Sequence, residues 1–240
     1  MREATLAPSL QPHLWERSLM SHLVLFDIDM TLLRLNAVGR RAMTAALLEL
    51  VGIEDALVGI DFAGRTDRWI LRQALEGKHV PQDFEQFLLE FGTPYLRALE
   101  VQLPALGGEV LPGAVPLLDA LAARGGVRLG VQTGNLREAA WFKLKAFDLD
   151  RYFVDGGFAD DAEERDALVA TAIARLGGAV EGHRVVVVGD SPLDVTAALA
   201  NDAVAVGVAT GRASFEELEA AGAHLVLRDL TEADAVLSLL

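Results

Sequence analysis

Four short apolar runs are the feature that most constrains the fold of this sequence. Each is rich in Val or Leu and closely followed by Gly, Thr or Asp; they are residues 22–26, 127–131, 184–188 and 203–208. Helix-length segments lie between the later runs, at residues 135–147, 166–176 and 191–200. Continuous apolar strands are typical of a sheet covered on both faces, and strands that alternate with helices form parallel sheets. The sequence therefore predicts an α/β core with a Rossmann-like, doubly wound parallel sheet.

Residues 36–108 show a different pattern, which lacks an obvious buried strand. Apolar side chains recur there at helical spacing, in one stretch that begins at Met43 and another that begins at Phe84. The stretch from Pro104 to Gly113 is rich in Pro and Gly, so we expect it to break the helix and form a hinge. We predict an all-helical cap at 36–108, a core at 21–35 and 109–240, and a disordered extension at 1–20.

Composition and charge exclude several classes of function. The formal net charge is −14 and no basic run is present, which argues against nucleic acid as a partner. No run of 18 apolar residues exists to span a membrane, and the start of the chain lacks the pattern of a signal peptide. Cysteine is absent, which excludes disulfides and thiolate metal sites and fits a reducing compartment. We therefore expect a soluble, cytoplasmic protein with no membrane partner.

Polar residues that follow the predicted strands are candidates for chemistry, because ligands bind at the carboxyl ends of parallel strands. Asp27 and Asp29 follow the first strand, and their spacing of two places both carboxylates on one side of an extended chain. Two close carboxylates repel, so either they share a cation or one keeps its proton and acts as an acid beside a nucleophile. A solvated turn is the alternative, and for these two residues taken alone it is the better interpretation.

The segments around these residues resemble the motifs of the haloacid dehalogenase superfamily. Residues 23–33 read LVLFDIDMTLL and are similar to its first motif, four apolar residues followed by D-x-D-x-T. Residues 129–135 read LGVQTGN and are similar to its second, and residues 189–194 read GDSPLD and are similar to its acidic metal motif. A calcium loop fits poorly, because Leu32 stands where an EF-hand needs Gly.

This resemblance implies a phosphatase that depends on Mg²⁺, similar to phosphoglycolate phosphatases, with a helical cap and a small phosphorylated metabolite as substrate. Asp27 would be the nucleophile that forms an aspartyl-phosphate, and Asp29 the acid and then the base. Mg²⁺ would be held by Asp27, the backbone carbonyl of Asp29 and Asp190, with Asp194 in support. Phosphate and substrate would be bound by Thr133, Gly134 and Asn135. Thr133 could instead cap the helix that begins near Leu136. Asp190 or Ser191 could cap the helix that follows them, with Asp194 favouring its positive end, and both interpretations stay open.

The phosphate-bracing cation of the third motif is less clear in this chain. The usual Lys-Pro pair is missing, and residues 160–165 read DDAEER. The resemblance makes Arg165 the first candidate and Lys143 the second, with a solvated helix charge as the alternative for each. Met30 also departs from the family pattern, in which Gly is common at that position.

Residues 61–67, DFAGRTD, resemble a cap segment of phosphoglycolate-phosphatase-like relatives, which implies that Arg65 contacts the substrate. A helix start capped by Thr66 or Asp67 is an equal alternative. Two other functions remain open: a sugar-phosphate mutase of the same superfamily, and a catalytically silent regulatory or binding module. A dehalogenase is disfavoured, because halide departure needs no acid such as Asp29.

Overall fold

The computed structural model describes residues 22–78, 83–178 and 183–240, so the predicted extension at 1–20 lies outside the described residues. Eight strands are present in this part of the chain: β1 His22–Phe26, β2 Leu33–Leu35, β3 Gly108–Val110, β4 Val127–Gln132, β5 Gly156–Gly157, β6 Arg184–Gly189, β7 Val204–Val208 and β8 Leu225–Leu227. The four predicted strands are confirmed as β1, β4, β6 and β7, each within one residue of its predicted bounds. The other four have at most three residues each, which is too short to show a hydrophobic pattern.

Nine α-helices are described: α1 Val38–Val51, α2 Asp67–Leu75, α3 Phe84–Leu106, α4 Ala114–Ala122, α5 Arg137–Ala146, α6 Arg165–Leu176, α7 Pro192–Ala200, α8 Phe215–Ala220 and α9 Ala233–Leu237. Short 3₁₀ turns lie at Asp150–Tyr152 and Leu230–Glu232. Helices α5, α6 and α7 confirm the three helices predicted between the strands. No helix within the described ranges is both long and apolar enough to cross a membrane.

The main sheet has six strands in the order β5-β4-β1-β6-β7-β8, and all neighbouring strands are parallel. Successive residues of β1 face opposite sides: Val24 and Phe26 pack with α4 and α5, whereas Leu23 and Leu25 pack with α6, α7 and α8. Because both faces are covered, the central strands are apolar throughout. This is the predicted doubly wound α/β core.

Helices α1, α2 and α3 follow β1 and have a hydrophobic cluster of their own, which also includes Leu136, Ala139 and Ala159 of the core. Strands β2 and β3 connect this helical insert to the sheet as an antiparallel pair, in which Leu35 lies opposite Gly108. The predicted domain boundaries fall at this pair. The helix ends within the stretch from Pro104 to Gly113, as predicted, although α3 continues through Pro104 and ends at Leu106. A proline removes only one backbone donor there, and the chain leaves the helix at Gly107, whose φ is +72°.

Candidate active site

A cavity of about 430 Å³ lies between the helical insert and the carboxyl ends of β1, β4 and β6. Nine of the ten predicted site residues line it: Asp27, Asp29, Arg65, Thr133, Gly134, Asn135, Lys143, Arg165 and Asp190. The tenth, Asp194, lies within 4.8 Å of Asp27 and Asp190 when their carboxylate oxygens are compared. The parallel sheet brings these side chains together because β1, β4 and β6 are neighbours and end at the same edge.

Asp27 is buried and Asp190 is partly exposed, and their carboxylates repel each other. Burial raises the pKa of Asp27, Arg165 lowers it and the charges of Asp194 and Asp29 raise it, with a net pKa of about 7. Burial, Asp194 and Asp27 raise the pKa of Asp190 to about 9. Hard carboxylate oxygens with this excess of negative charge fit a divalent cation such as Mg²⁺. Gly211 leaves the room that Asp190 needs, since a β-carbon there would lie 1.7 Å from Asp190 Oδ2.

Asp194 has both carboxylate oxygens engaged by protein donors. Its Oδ1 accepts hydrogen bonds from Gln132 Nε2, at 2.8 Å, and from Arg165. Its Oδ2 accepts from the backbone N–H of Ser191, at 3.1 Å, and from Ser191 Oγ, at 2.6 Å. Ser191 is the N-cap of α7 and forms a capping box with Asp194, so of the two predicted caps Ser191 is confirmed and Asp190 is not. We therefore expect Asp194 to support Asp27 and Asp190 rather than to act as an open ligand.

Arg165 is the first residue of α6 and is buried among acceptors. Its Nη1 lies 3.5 Å from Asp27 Oδ1, contacts Asp194 and donates to Gln132 Oε1 at 3.0 Å. Burial alone lowers the pKa of Arg165, but the charges of Asp194, Asp27 and Asp190 raise it above its ordinary value. The guanidinium therefore stays charged beside Asp27.

Lys143 occupies the opposite side of the cavity and contacts the other aspartate. Its ammonium donates to Asp29 Oδ2 at 2.6 Å and to Asn135 Oδ1. The Asn135 amide nitrogen donates in turn to Asp29 Oδ2 and to Thr133 Oγ1, both at 2.7 Å. The two candidate cations are thus not exclusive alternatives in space, since Arg165 faces Asp27 and Lys143 faces Asp29.

The loop after β4 offers two donors to a bound anion. The Thr133 hydroxyl accepts from Asn135, so its own proton is available, and the N–H of Gly134 has no acceptor within the described part of the chain. The side chain of Asn135 is different, because its amide is already bonded to Thr133, Asp29 and Lys143. The loop after β1 is tight, and Met30 adopts a φ of +64° that Gly would adopt more easily.

Residues 64–67 of the helical insert lie directly on the core. Thr66 Oγ1 donates to the carbonyl of Glu163 at 2.8 Å, and the Asp67 N–H donates to the carbonyl of Gly134 at 2.6 Å. Thr66 also caps α2 by accepting from the N–H of Trp69, as the capping alternative predicted. Arg65 lines the cavity and its guanidinium stacks 4.3 Å from the centre of the Trp69 ring. Capping of α2 by Thr66 and contact of Arg65 with a substrate are therefore compatible interpretations of this segment.

Sequence reasoning missed several polar groups of the site. Gln132 is fully buried between Arg165 and Asp194, and its place next to Thr133 at the end of β4 was an available signal. Asp67 is buried at the cavity, and its Oδ2 accepts from the N–H of Leu136 at 2.9 Å. Tyr95 lines the cavity from α3 and continues, four residues on, the apolar stripe that contains Phe91.

Comparison with known proteins identifies the family of this chain. A family model of haloacid dehalogenase-like hydrolases matches residues 22–202. The chain belongs to this haloacid dehalogenase-like hydrolase family. It is 37% identical over 127 residues to a phosphoglycolate phosphatase of Rhodospirillum rubrum, and the match covers 52% of each chain. The hydrolase thus spans about half the length of the curated relative it matches.

Solved structures support the family fold. A hydrolase from Pseudomonas syringae has a TM-score of 0.68 and 23% identity, with 92% of this chain and 99% of that chain covered. A candidate beta-phosphoglucomutase from Thermotoga maritima has a TM-score of 0.62 and 19% identity, with 92% and 100% covered. At these identities the likeness shows that the haloacid dehalogenase-like hydrolase shares their α/β architecture.

Proposed function

We propose that this haloacid dehalogenase-like hydrolase cleaves small phosphomonoesters, with Asp27 as the nucleophile. The observation that supports this most strongly is the position of Asp27, at the carboxyl end of the central strand β1 and between Arg165 and Asp190. A carboxylate oxygen of Asp27 attacks the phosphorus, a P–O bond forms and the bond to the ester oxygen breaks. The resulting aspartyl-phosphate divides one difficult displacement into two easier ones.

Asp29 is proposed to move the proton in both steps. It lines the cavity beside Asp27, and its Oδ1 accepts from no donor within the described ranges, whereas Oδ2 is held by Lys143 and Asn135. A protonated Asp29 gives its proton to the departing ester oxygen. It then takes a proton from the water that attacks the phosphorus, which releases inorganic phosphate and restores Asp27.

The remaining polar groups neutralise and orient the phosphoryl group. Asp27 and Asp190, with the backbone carbonyl of Asp29, would hold Mg²⁺, and the bound ion would supply charge stabilisation to the phosphoryl oxygens. Arg165 keeps the Asp27 carboxylate in place with a positive charge of its own. The Thr133 hydroxyl and the Gly134 N–H donate to phosphoryl oxygens, and such pre-oriented donors are commonly the largest contribution to catalysis.

The helical insert is proposed to act as the cap that excludes bulk water. Residues 64–67 already contact the core through Gly134, Glu163 and Arg165, so they cover the cavity that contains Asp27. The pair of β2 and β3 is then the hinge, since it is the connection between the insert and the sheet. The absence of Cys fits a cytoplasmic location for this enzyme.

The proposed substrate class is based on the relative in Rhodospirillum rubrum. A cavity of about 430 Å³ has room for a small phosphate ester but does not by itself select one. Phosphoglycolate is the substrate in the name of that relative, and small sugar phosphates are the other group to screen. Likeness in fold to a candidate mutase gives no argument for a mutase here, and a silent module would not need Asp27 and Asp29 in one cavity.

Release of inorganic phosphate from an aryl phosphate, with and without Mg²⁺, tests the proposal. We expect activity that requires Mg²⁺ and disappears in Asp27→Asn, while Asp234→Asn, an exposed aspartate of α9, leaves the rate unchanged. A phosphate label on the Asp27 peptide, seen by mass spectrometry after acid quenching, would identify the intermediate. Activity that survives in Asp27→Asn would falsify the proposed nucleophile.

A further inference from the structure

An aromatic stripe on α3 ends in a hydroxyl group at the cavity. Phe87, Phe91 and Tyr95 follow one another at a spacing of four, with ring centroids 5.9 Å and 5.1 Å apart. All three side chains are essentially inaccessible to solvent. A phenylalanine at position 95 would complete this packing equally well, so the hydroxyl of Tyr95 needs a separate explanation.

The Tyr95 hydroxyl donates to no group within the described ranges, although Tyr95 lines the cavity. Burial raises its pKa well above the ordinary value, and the charges of Asp67 and Asp29 raise it further, so the phenol keeps its proton. The oxygen of this hydroxyl is open to the cavity, since it is not among the buried side-chain atoms of the described residues that lack a partner. The hydroxyl is therefore positioned to donate to a molecule in the cavity.

Gly39, on α1, keeps an open space between Tyr95 and Lys143. A methyl carbon placed on Gly39 would lie 3.7 Å from Tyr95 Oη and 3.8 Å from Lys143 Nζ. An ammonium has three N–H donors, and Lys143 gives only two of them to Asp29 and Asn135. Two hydrogen-bond donors, on Tyr95 and Lys143, thus border the same space. Gly39 keeps this space clear, at a helical position where alanine would stabilise the helix more.

Asp67 adds an acceptor to the same part of the cavity. Its Oδ2 is bonded to the N–H of Leu136, but its Oδ1 has no donor within the described residues. Its negative charge acts on Tyr95 and disfavours a second carboxylate nearby. A hydroxyl group suits these surroundings better, because it accepts from Tyr95 or Lys143 and donates to Asp67.

We propose that Tyr95, Lys143 and Asp67 form a subsite for a hydroxyl group on the leaving group, with Tyr95 as the specificity-determining residue. The inference rests on the proposed function, because it identifies this end of the cavity as the place of the leaving group. Lys143 contacts Asp29, the proposed proton donor to the ester oxygen. The recognised hydroxyl therefore lies within a few atoms of that oxygen, as in a short phosphorylated diol or polyol.

The test compares three esters of matched length: ethyl phosphate, 2-hydroxyethyl phosphate and carboxymethyl phosphate. For the wild type we expect kcat/KM for the hydroxyethyl ester to exceed that for the ethyl ester about tenfold, the value of one hydrogen bond in a water-excluded site. In Tyr95→Phe this ratio should approach one, because only the hydroxyethyl ester loses a hydrogen bond. A ratio that Tyr95→Phe leaves unchanged overturns the subsite, and a wild type that prefers the carboxymethyl ester overturns the assignment to a hydroxyl.

A second variant tests the space beside Gly39, whereas Tyr95→Phe tests the hydrogen-bond donor. Gly39→Ala should remove the preference for the hydroxyethyl ester, because its methyl group would contact both Tyr95 Oη and Lys143 Nζ and crowd the space beside these two donors. Gly92→Ala is the matched control, a helical glycine of the same insert with no atom within 4 Å of an added β-carbon. It should keep the preference, and a preference kept equally in Gly39→Ala contradicts the proposal.

Failure of the proposed function can be told apart from failure of the subsite. If the wild type releases phosphate from none of the three esters, the phosphatase proposal fails. Calorimetric binding of ethyl and 2-hydroxyethyl phosphate then tests the subsite by itself. Tighter binding of the hydroxyethyl ester that is lost in Tyr95→Phe supports the subsite, and equal binding of both esters to the wild type overturns it.

Discussion

Arg165 Nε donates a hydrogen bond of 3.0 Å to the backbone carbonyl of Gly64. The same guanidinium lies 3.5 Å from Asp27 through Nη1, so one side chain contacts both the helical insert and the proposed nucleophile. A guanidinium has five N–H donors in a planar fork, whereas the ammonium of lysine is a single compact charge. Arginine at this position therefore makes contacts in two directions that lysine could not make together.

Arg165→Lys should separate these two roles. We expect kcat/KM to fall about tenfold, because the charge near Asp27 remains while the bond to Gly64 is lost, and Arg165→Gln should fall by about 10³. Amide hydrogen exchange of residues 62–67 should be faster in Arg165→Lys. Arg72→Lys is the control, since Arg72 also joins the helical insert to the core, through Glu163, but does not line the cavity. Equal activity of Arg165→Lys and the wild type would contradict the dual role.

Gly64→Ala should impair closure of the insert. Gly64 has a φ of +66°, and an added β-carbon would lie 2.5 Å from Ser191 Oγ, so residues 64–67 could not keep their position. We expect a loss of about 10²-fold in kcat/KM, the usual effect of displacing a site by about 1 Å. Gly59→Ala has a comparable backbone strain, at φ +78°, with no atom near the added carbon. A similar loss in both variants would attribute the effect to backbone strain alone.

Mg²⁺ should stabilise the folded protein, and more so at high pH. Because the pKa of Asp190 is raised from 3.8 to about 9, the metal-free folded protein keeps a proton that the unfolded chain has lost between these values. Its free energy of unfolding therefore falls as the pH rises through this range. Asp190→Asn should raise the metal-free free energy of unfolding at pH 8, because the amide carries no charge for burial to disfavour.

Thermal melts with and without millimolar Mg²⁺ check this prediction. The wild type should melt at a higher temperature with Mg²⁺, by the linkage of binding to stability, and Asp190→Asn should not respond. An equal response of both proteins would mean that Mg²⁺ binds elsewhere.

Asp67 should also make the free energy of unfolding depend on pH, in a lower pH range than Asp190. Burial raises its pKa to about 6, although Lys143 and the N–H of Leu136 favour the charged form. Protonated Asp67 contributes fully to the free energy of unfolding below about pH 4. This contribution is lost as the pH rises through 6, which lowers the free energy of unfolding by roughly 2–3 kcal/mol at most. Asp67→Asn should lack this decline, because its amide oxygen still accepts from Leu136 and carries no charge. Urea unfolding from pH 4 to 7 measures it, and Asp55→Asn, an exposed aspartate, should behave as the wild type.

The sequence by itself determined the sheet and the motif residues at its edge. Strands such as 184–188 are apolar throughout because both faces of the sheet are covered, so their composition reports their burial directly. Asp27, Thr133 and Asp190 could be placed together because parallel neighbours end at one edge. The short strands β2, β3, β5 and β8 were missed, since at most three residues cannot show a period.

Only the tertiary structure decided which charges meet across the cavity. Arg165 and Lys143 were predicted as alternatives, yet α6 brings one to Asp27 and α5 brings the other to Asp29. Tyr95 and Asp67 belong to helices whose sequence shows only an apolar stripe and a cap. Their place at the cavity depends on how the insert packs against the core, through contacts between residues far apart in the chain. Local periodicity reports burial, but it holds no information about distant partners.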